Sequence, residues 1–207
     1  MKLNYFSYYG RVEEIRLLFH IKSVEFENVL INEEWPTVKG DKERFPFATM
    51  PTFEQDGKVY CQSLAILRKV ARENGYYPND AEDAYYQDVL TESLRDLYDN
   101  IFQIMESQSD EEKETITKKF ETTIVPVNFS AWEDIIKANS SQEFWHGDSE
   151  TIADLSLVCF YADQILIGAF KDSIQAHLEK YPALKEYLEK KHEAHKDYFN
   201  NRPDYPC

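Results

Sequence analysis

Short apolar runs separated by turn residues fill the first third of the chain, and helical periodicity takes over afterwards. Leu3 to Phe6 reads as a short strand. Glu13 to Ile21 sets Ile15, Leu17, Leu18 and Ile21 at the spacing of an amphipathic helix. Phe26 to Ile31 alternates Phe26, Asn28 and Leu30 against Glu27, Val29 and Ile31, which predicts a second strand. Glu33 to Lys39, carrying Trp35, predicts a short irregular helix. Thr52-Phe53-Glu54-Gln55 and Lys58-Val59-Tyr60 flank Asp56-Gly57, whose residue types favour the left-handed backbone of a hairpin turn. Ser63 to Glu73 is then a helix that Asn74-Gly75 ends.

Strand signals nearly vanish after Tyr76-Tyr77-Pro78-Asn79-Asp80. Ala81 to Ser107 carries Val89, Leu90, Leu94, Leu97, Ile101 and Ile104 at helical spacing. Glu111 to Asn139 is a second long helical stretch that Pro126 should kink or interrupt. Thr151 to Phe170 and Pro182 to Phe199 complete the helices, the former opened by a Thr151-x-x-Asp154 capping box. Glu150 stands where a hydrophobic staple would put an apolar residue, so this cap is expected to be weaker than a stapled one. The β-α-β-α-β-β-α order suggests an N-terminal thioredoxin-like α/β domain over residues 1–76. An all-α, helical-bundle domain follows over 81–207.

Composition narrows the function classes. The net charge of −15 argues against nucleic acid and against an anionic membrane surface, since both need clustered Lys and Arg. No apolar run reaches the roughly 18 residues of a spanning helix, and the start shows no signal-peptide pattern. Cys61, Cys159 and Cys207 are scattered and odd in number, which fits free thiols in a reducing compartment and makes cytoplasm the expectation. His192 and His195 stand three apart, but no carboxylate or cysteine cluster completes a metal site, so no metal is expected.

A phenol at a strand end, an extended backbone beside a proline and a polar helix start can hold a small anionic peptide and tune its thiol. The motifs that carry those features are Leu3-Asn4-Tyr5-Phe6, Gly10-Arg11-Val12-Glu13-Glu14-Ile15-Arg16, Trp35-Pro36, Pro46-Phe47, Met50-Pro51, Asp56-Gly57 and Gln62-Ser63-Leu64-Ala65-Ile66. Gly147-Asp148-Ser149 with Thr151-Ile152-Ala153-Asp154-Leu155 adds a C-terminal signature. Each is weak alone, but in this order they make the chain resemble the cytosolic glutathione transferases of the sigma type over essentially its whole length.

The resemblance implies glutathione as co-substrate and a homodimer. It implies Tyr5 as the thiol-activating residue, where a plain reading of the residues allows only a core tyrosine closing a strand. A free thiol near pKa 8.5 is mostly protonated at neutral pH. A phenol donating to sulfur favours the thiolate, and one charge-assisted hydrogen bond of roughly 1.5–3 kcal/mol has the size required. Arg11 matches the arginine placed near that thiolate, its alternative being a salt bridge to Glu13 or Glu14. Met50, before a cis Pro51, would pair its backbone with the cysteinyl unit, with Thr49 beside it. Gln62 and Ser63 would take the γ-glutamyl carboxylate at unpaired helix amides. Trp35 and Lys39, or Lys42 in place of Lys39, would hold the glycine end. Asp96 would reach across a dimer to the ligand's α-amino group. Phe6, Tyr8, Gly10 and Tyr98 would line the electrophile pocket, while Tyr9 stands where similar proteins often carry arginine.

The implied activity is conjugation of glutathione to hydrophobic electrophiles, with peroxide reduction as a related outcome. Sigma-type relatives include prostaglandin-H2 D-isomerases, which carry a tryptophan near the position of Gln103, and this ranks that activity lower. Lens S-crystallins supply a non-catalytic alternative, disfavoured by the retention of Tyr5, Arg11, Gln62 and Ser63.

Overall fold

The first apolar run forms β1 (Lys2–Tyr5), and the first unit of the fold is built around it. The computed structural model describes residues 1–206. A short 3-10 turn at Gly10–Val12 leads into α1 (Glu13–Ile21), which returns the chain to β2 (Glu27–Leu30), parallel to β1. A parallel pair needs such a crossover, because a tight hairpin joins only antiparallel strands. After the single turn of α2 (Trp35–Val38), β3 (Thr52–Gln55) pairs antiparallel with β1 and then with β4 (Lys58–Cys61). The sheet order is β2-β1-β3-β4. Asp56 and Gly57 both take positive φ, as the Asp-Gly turn predicts. Helix α3 (Ser63–Asn74) closes the unit and ends on Gly75 at φ 78.

Asn4 is the polar exception inside β1. It faces Thr52 across the ladder and sends its side-chain amide to Thr52 Oγ1 at 3.2 Å and Glu54 Oε1 at 2.9 Å. A one-residue slip would break both bonds and turn Leu3 and Tyr5 to the wrong face, so Asn4 helps fix the register. Leu3, Ile15, Leu18, Phe53 and Ile66 are fully buried, with Phe19 and Phe53 rings 5.8 Å apart.

The helical unit starts with α4 (Ala81–Glu106), whose Asp80 cap accepts from the amides of Glu82 and Asp83. The stretch that Pro126 was expected to kink instead runs from α5 (Asp110–Lys119) through a wider turn at Phe120–Ile124 into α6 (Val125–Ala138). Proline lacks an N–H and crowds the carbonyl four residues back. The wider i→i+5 turn immediately before it accommodates that demand. Helix α7 (Ile152–Phe160) and a second wide turn (Tyr161–Ile165) fill most of the expected 151–170 helix. The helical stretch ends at Ile165, and just beyond it Gly168 packs so closely that a Cβ would lie 2.8 Å from the backbone of Gln164. The separate α8 (Lys171–Leu178) was not legible in the periodicity, and the expected 182–199 helix divides at His195 into α9 (Pro182–Ala194) and α10 (Lys196–Asn201).

The tail from residue 197 clusters with the first unit, whereas the sequence assigns all of 81–207 to the helical domain. Tyr198 and Arg202 both bond the buried Glu13 carboxylate on α1, at 2.7 and 2.8 Å.

Asp154 organises the helical unit. Fully buried, it accepts from the amides of Trp145 (2.9 Å) and Thr151 (2.8 Å), and from the hydroxyls of Thr151 (3.0 Å) and Tyr187 (2.6 Å). The missing staple is replaced by charge, for Glu150 pairs with His195 at 2.9 Å and Lys191 at 3.3 Å. Removing the carboxylate strands several buried donors. Asp154→Ala should therefore cost about 3 kcal/mol or more in urea denaturation, and a loss below about 1 kcal/mol would contradict the assigned role.

Candidate active site

Tyr5 ends β1 with its side chain 6% exposed. Its hydroxyl accepts a hydrogen bond from the Arg11 backbone N–H at 3.3 Å. The intervening turn depends on Gly10, which sits at φ 48, and a Cβ there would lie 2.8 Å from the Tyr5 hydroxyl oxygen. Glycine is thus required twice, for the backbone and for the close approach. Burial pushes the Tyr5 phenol above its ordinary value, while the Arg11 amide and the Arg11 and Arg16 charges pull the other way. The net effect keeps the proton on the ring oxygen at neutral pH, so the group is a donor.

Phe6 bridges the aromatic groups around this phenol. Its ring lies 5.7 Å from Tyr5, 6.4 Å from Tyr8 and 5.9 Å from Trp35, and Trp35 rests edge-on against the buried Phe45 at 5.1 Å. The structure therefore brings Tyr5, Phe6, Tyr8, Gly10, Arg11 and Trp35 into one neighbourhood. Tyr8 is largely exposed, while Lys39 and Lys42 are both exposed at and just beyond the end of α2.

The Met50-Pro51 peptide is cis, and β3 follows it directly. Thr49 is exposed and Met50 half-buried. Gln62 precedes α3 at φ 71 and ψ 112, a conformation that costs a non-glycine residue about 1–3 kcal/mol and marks functional sites. The Gln62 side chain makes no capping hydrogen bond to the first amides of α3. Those amides keep their partial positive charge for an anionic group. The strain at Gln62 had no signal in the sequence, because glutamine carries no preference for positive φ.

Asp96 is exposed on α4 of the helical unit, and Tyr98 lies in that unit's core with its ring 5.7 Å from Phe160. Cys61 is half-buried on β4, and burial pushes its thiol up, the opposite of activation. Cys159 is a buried free thiol, and Cys207 lies outside the described residues. No cluster of three or more His, Cys, Asp or Glu side chains suits a metal among the described residues.

Two residues that the sequence offered only as parts of a motif prove central. Arg16 donates from Nη1 to the Tyr8 carbonyl at 2.8 Å and to Glu13 at 3.0 Å, fixing the segment between Tyr5 and α1. Glu14 is buried beside it. Tyr9, the departure from arginine, anchors the tail: its hydroxyl donates to the Pro203 carbonyl at 3.2 Å and accepts from the Tyr205 amide at 3.1 Å.

Comparison with known proteins places the chain in a family. The glutathione S-transferase N-terminal domain matches residues 1–72, and the glutathione S-transferase C-terminal domain matches residues 95–201. Glutathione S-transferase 1 of Ascaris suum is 30% identical, covering 99% of this chain and 98% of its own. S-crystallin SL11 of Nototodarus sloanii is 30% identical over 88% of this chain and 85% of its own. Among solved structures, a monomeric glutathione S-transferase from the hookworm Necator americanus superposes with a TM-score of 0.84 at 27% identity, covering 100% of this chain and 98% of that one. The chain belongs to the glutathione S-transferase family, a class of enzymes that use glutathione as co-substrate.

Glu14 gives the first unit a pH signature. Burial, reinforced by the Glu13 charge, pushes its carboxyl from an ordinary 4.5 to about 7. The folded protein then holds a proton that the unfolded chain releases between those values. Stability from this group is complete below about pH 4.5 and is lost as pH rises through about 7, a change of about 3 kcal/mol. Glu14→Gln should flatten the stability profile over that window and raise the melting temperature at pH 8. An unchanged wild-type slope in the variant would assign the pH dependence elsewhere.

Proposed function

We propose that this chain conjugates the glutathione thiolate to hydrophobic electrophiles, with Tyr5 as the group that holds the sulfur ionised. The observation that carries the reading is the buried Tyr5 hydroxyl, protonated and held by the Arg11 amide at the rim of an aromatic cluster. In this mechanism the thiol loses its proton to solvent as it binds, and the phenol O–H donates to the resulting thiolate. The sulfur attacks an electrophilic carbon, a C–S bond forms, and the leaving group departs with the bonding pair. Arg11 adds a cation near the developing anion.

The rest of the tripeptide follows the elements around Tyr5. The cysteinyl backbone pairs with Met50 as an added strand would. The γ-glutamyl carboxylate meets the uncapped amides at Gln62 and Ser63, supported by the strained backbone of Gln62. Trp35 with Lys39 or Lys42 takes the glycine end, and Phe6, Tyr8 and Gly10 face the electrophile. We assign the chain to the sigma type on its motif set, and to the cytoplasm on its free thiols. Tyr5→Phe should lower kcat/KM for a model aryl halide about 10- to 100-fold, the equivalent of roughly 1.5–3 kcal/mol, and raise the apparent pKa of the bound thiol. Activity within about twofold of wild type would remove Tyr5 from the mechanism.

The same reading makes the working form a homodimer in which Asp96 of the partner subunit meets the ligand's α-amino group. Sedimentation equilibrium should return twice the chain mass, and Asp96→Ala should raise KM for glutathione more than it lowers kcat. A fully active monomer would overturn the dimer and the role of Asp96 together.

A further inference from the structure

The segment that leads into the Gly10–Arg11 turn is held from two sides. On one side Arg16 of α1 fixes the Tyr8 carbonyl at 2.8 Å. On the other the tail grips the next side chain, Tyr9, which is 4% exposed. The Tyr9 hydroxyl is donor and acceptor at once: it donates to the Pro203 carbonyl at 3.2 Å and accepts from the Tyr205 amide at 3.1 Å. The Arg202 guanidinium lies 3.8 Å from the centre of the Tyr9 ring, a cation–π contact, and the Tyr205 ring lies 5.6 Å away.

Tyr198 and Arg202 already fasten the tail to α1 through Glu13. What the Tyr9 bonds add is a hold on the chain immediately before Gly10. Gly10, at φ 48, is followed by Arg11, whose amide donates to the Tyr5 hydroxyl at 3.3 Å. That distance is long for a hydrogen bond of this kind, so a small rotation at the permissive Gly10 takes the amide out of reach. While the amide occupies the phenol oxygen, the phenol proton is left to point away from the turn, where the reading above places the sulfur.

We propose that Tyr9 is a positioning residue for the thiolate site: through its hydroxyl, the tail holds the Gly10–Arg11 turn at the spacing that the Tyr5–Arg11 bond requires. The proposal rests on the role given to Tyr5 above. Tyr9 acts through Arg11 and Tyr5 and takes no part in the chemistry itself. Tyr9→Phe removes the hydroxyl and keeps the ring against which Arg202 stacks. It changes no charge, and Arg11, Arg16 and Glu14, the charged groups that act on Tyr5, all remain. A shift in the titration of bound glutathione then reports geometry.

The test follows the thiolate absorbance of glutathione bound to the full-length protein as pH is varied, with conjugation of a model aryl halide measured alongside. Tyr9→Phe should move the bound-thiol titration to higher pH. Below the midpoint of that titration it should lower kcat about five- to tenfold while KM for glutathione stays within about twofold. Tyr205→Pro, which removes the amide N–H on the tail side, should do the same, and it carries the test where Tyr9→Phe fails to fold. The double variant should lose no more than about twofold beyond the larger single loss, because both substitutions break one link. Tyr5→Phe is the reference. If it moves the titration and neither tail-link variant does, the inference is overturned and the role of Tyr5 stands. A lower melting temperature with an unmoved titration makes Tyr9 a packing residue and overturns the inference equally, as do losses that multiply in the double variant. If Tyr5→Phe itself leaves the titration unmoved, the reading of Tyr5 fails and this inference falls with it.

Discussion

The hydrogen bond from the Arg11 amide to the Tyr5 hydroxyl depends on a chain of constraints that reaches the other end of the sequence. Gly10 permits it, because no other residue combines the positive φ with so close an approach to the ring oxygen. Arg16 steadies it, by tying the carbonyl of Tyr8 to the first turn of α1. Arg16 is held in turn by Glu13, and Glu13 by Tyr198 and Arg202. A group buried at the end of one strand is therefore positioned by contacts that span 185 residues or more. Such contacts are available only once the tail has returned, so the geometry at Tyr5 is a property of the folded unit and not of its local segment.

Burial does two things to this group. It raises the cost of ionising the phenol, which keeps the proton in place to donate. It also excludes water, which strengthens any hydrogen bond made to an incoming anion. The same desolvation acts on Glu14, where it produces a carboxyl that titrates near neutrality. One buried environment thus supports a phenol that stays neutral and a carboxyl that does not stay charged. The two guanidinium groups of Arg11 and Arg16 act on both.

Elements set by short-range rules were legible in the sequence. The Asp56-Gly57 hairpin, the Gly75 helix end and the capping box at Thr151 each follow from residue chemistry within a few positions. The periodicity of α1, α3 and α4 located them to within a residue or two. Boundaries governed by contact with distant chain were not legible. Nothing near Lys171 announces α8, because the break after Ile165 is accompanied by a close backbone approach at Gly168 and not by a turn motif. The tail looked like the end of a helical domain, since no local signal tells Tyr198 that its partner is Glu13. At the site, the residue types at Tyr5, Gly10, Arg11, Gln62 and Ser63 were readable, but the strained backbone at Gln62 and the tail-anchoring role of Tyr9 were not. Both depend on three-dimensional neighbours.

The net charge of −15 looks hostile to a ligand that is itself anionic, and the fold answers this locally. At physiological salt the Debye length is about 8 Å, so exposed acidic groups beyond that range contribute little at a binding site. What remains are nearby fixed charges and dipoles: Arg11 and Arg16 beside Tyr5, and the uncapped amides of α3. These lie in partly buried surroundings, where screening is weaker and each is worth more than a surface lysine. A net negative exterior favours solubility and repels other polyanions, while the field near Tyr5 and the start of α3 has the opposite sign.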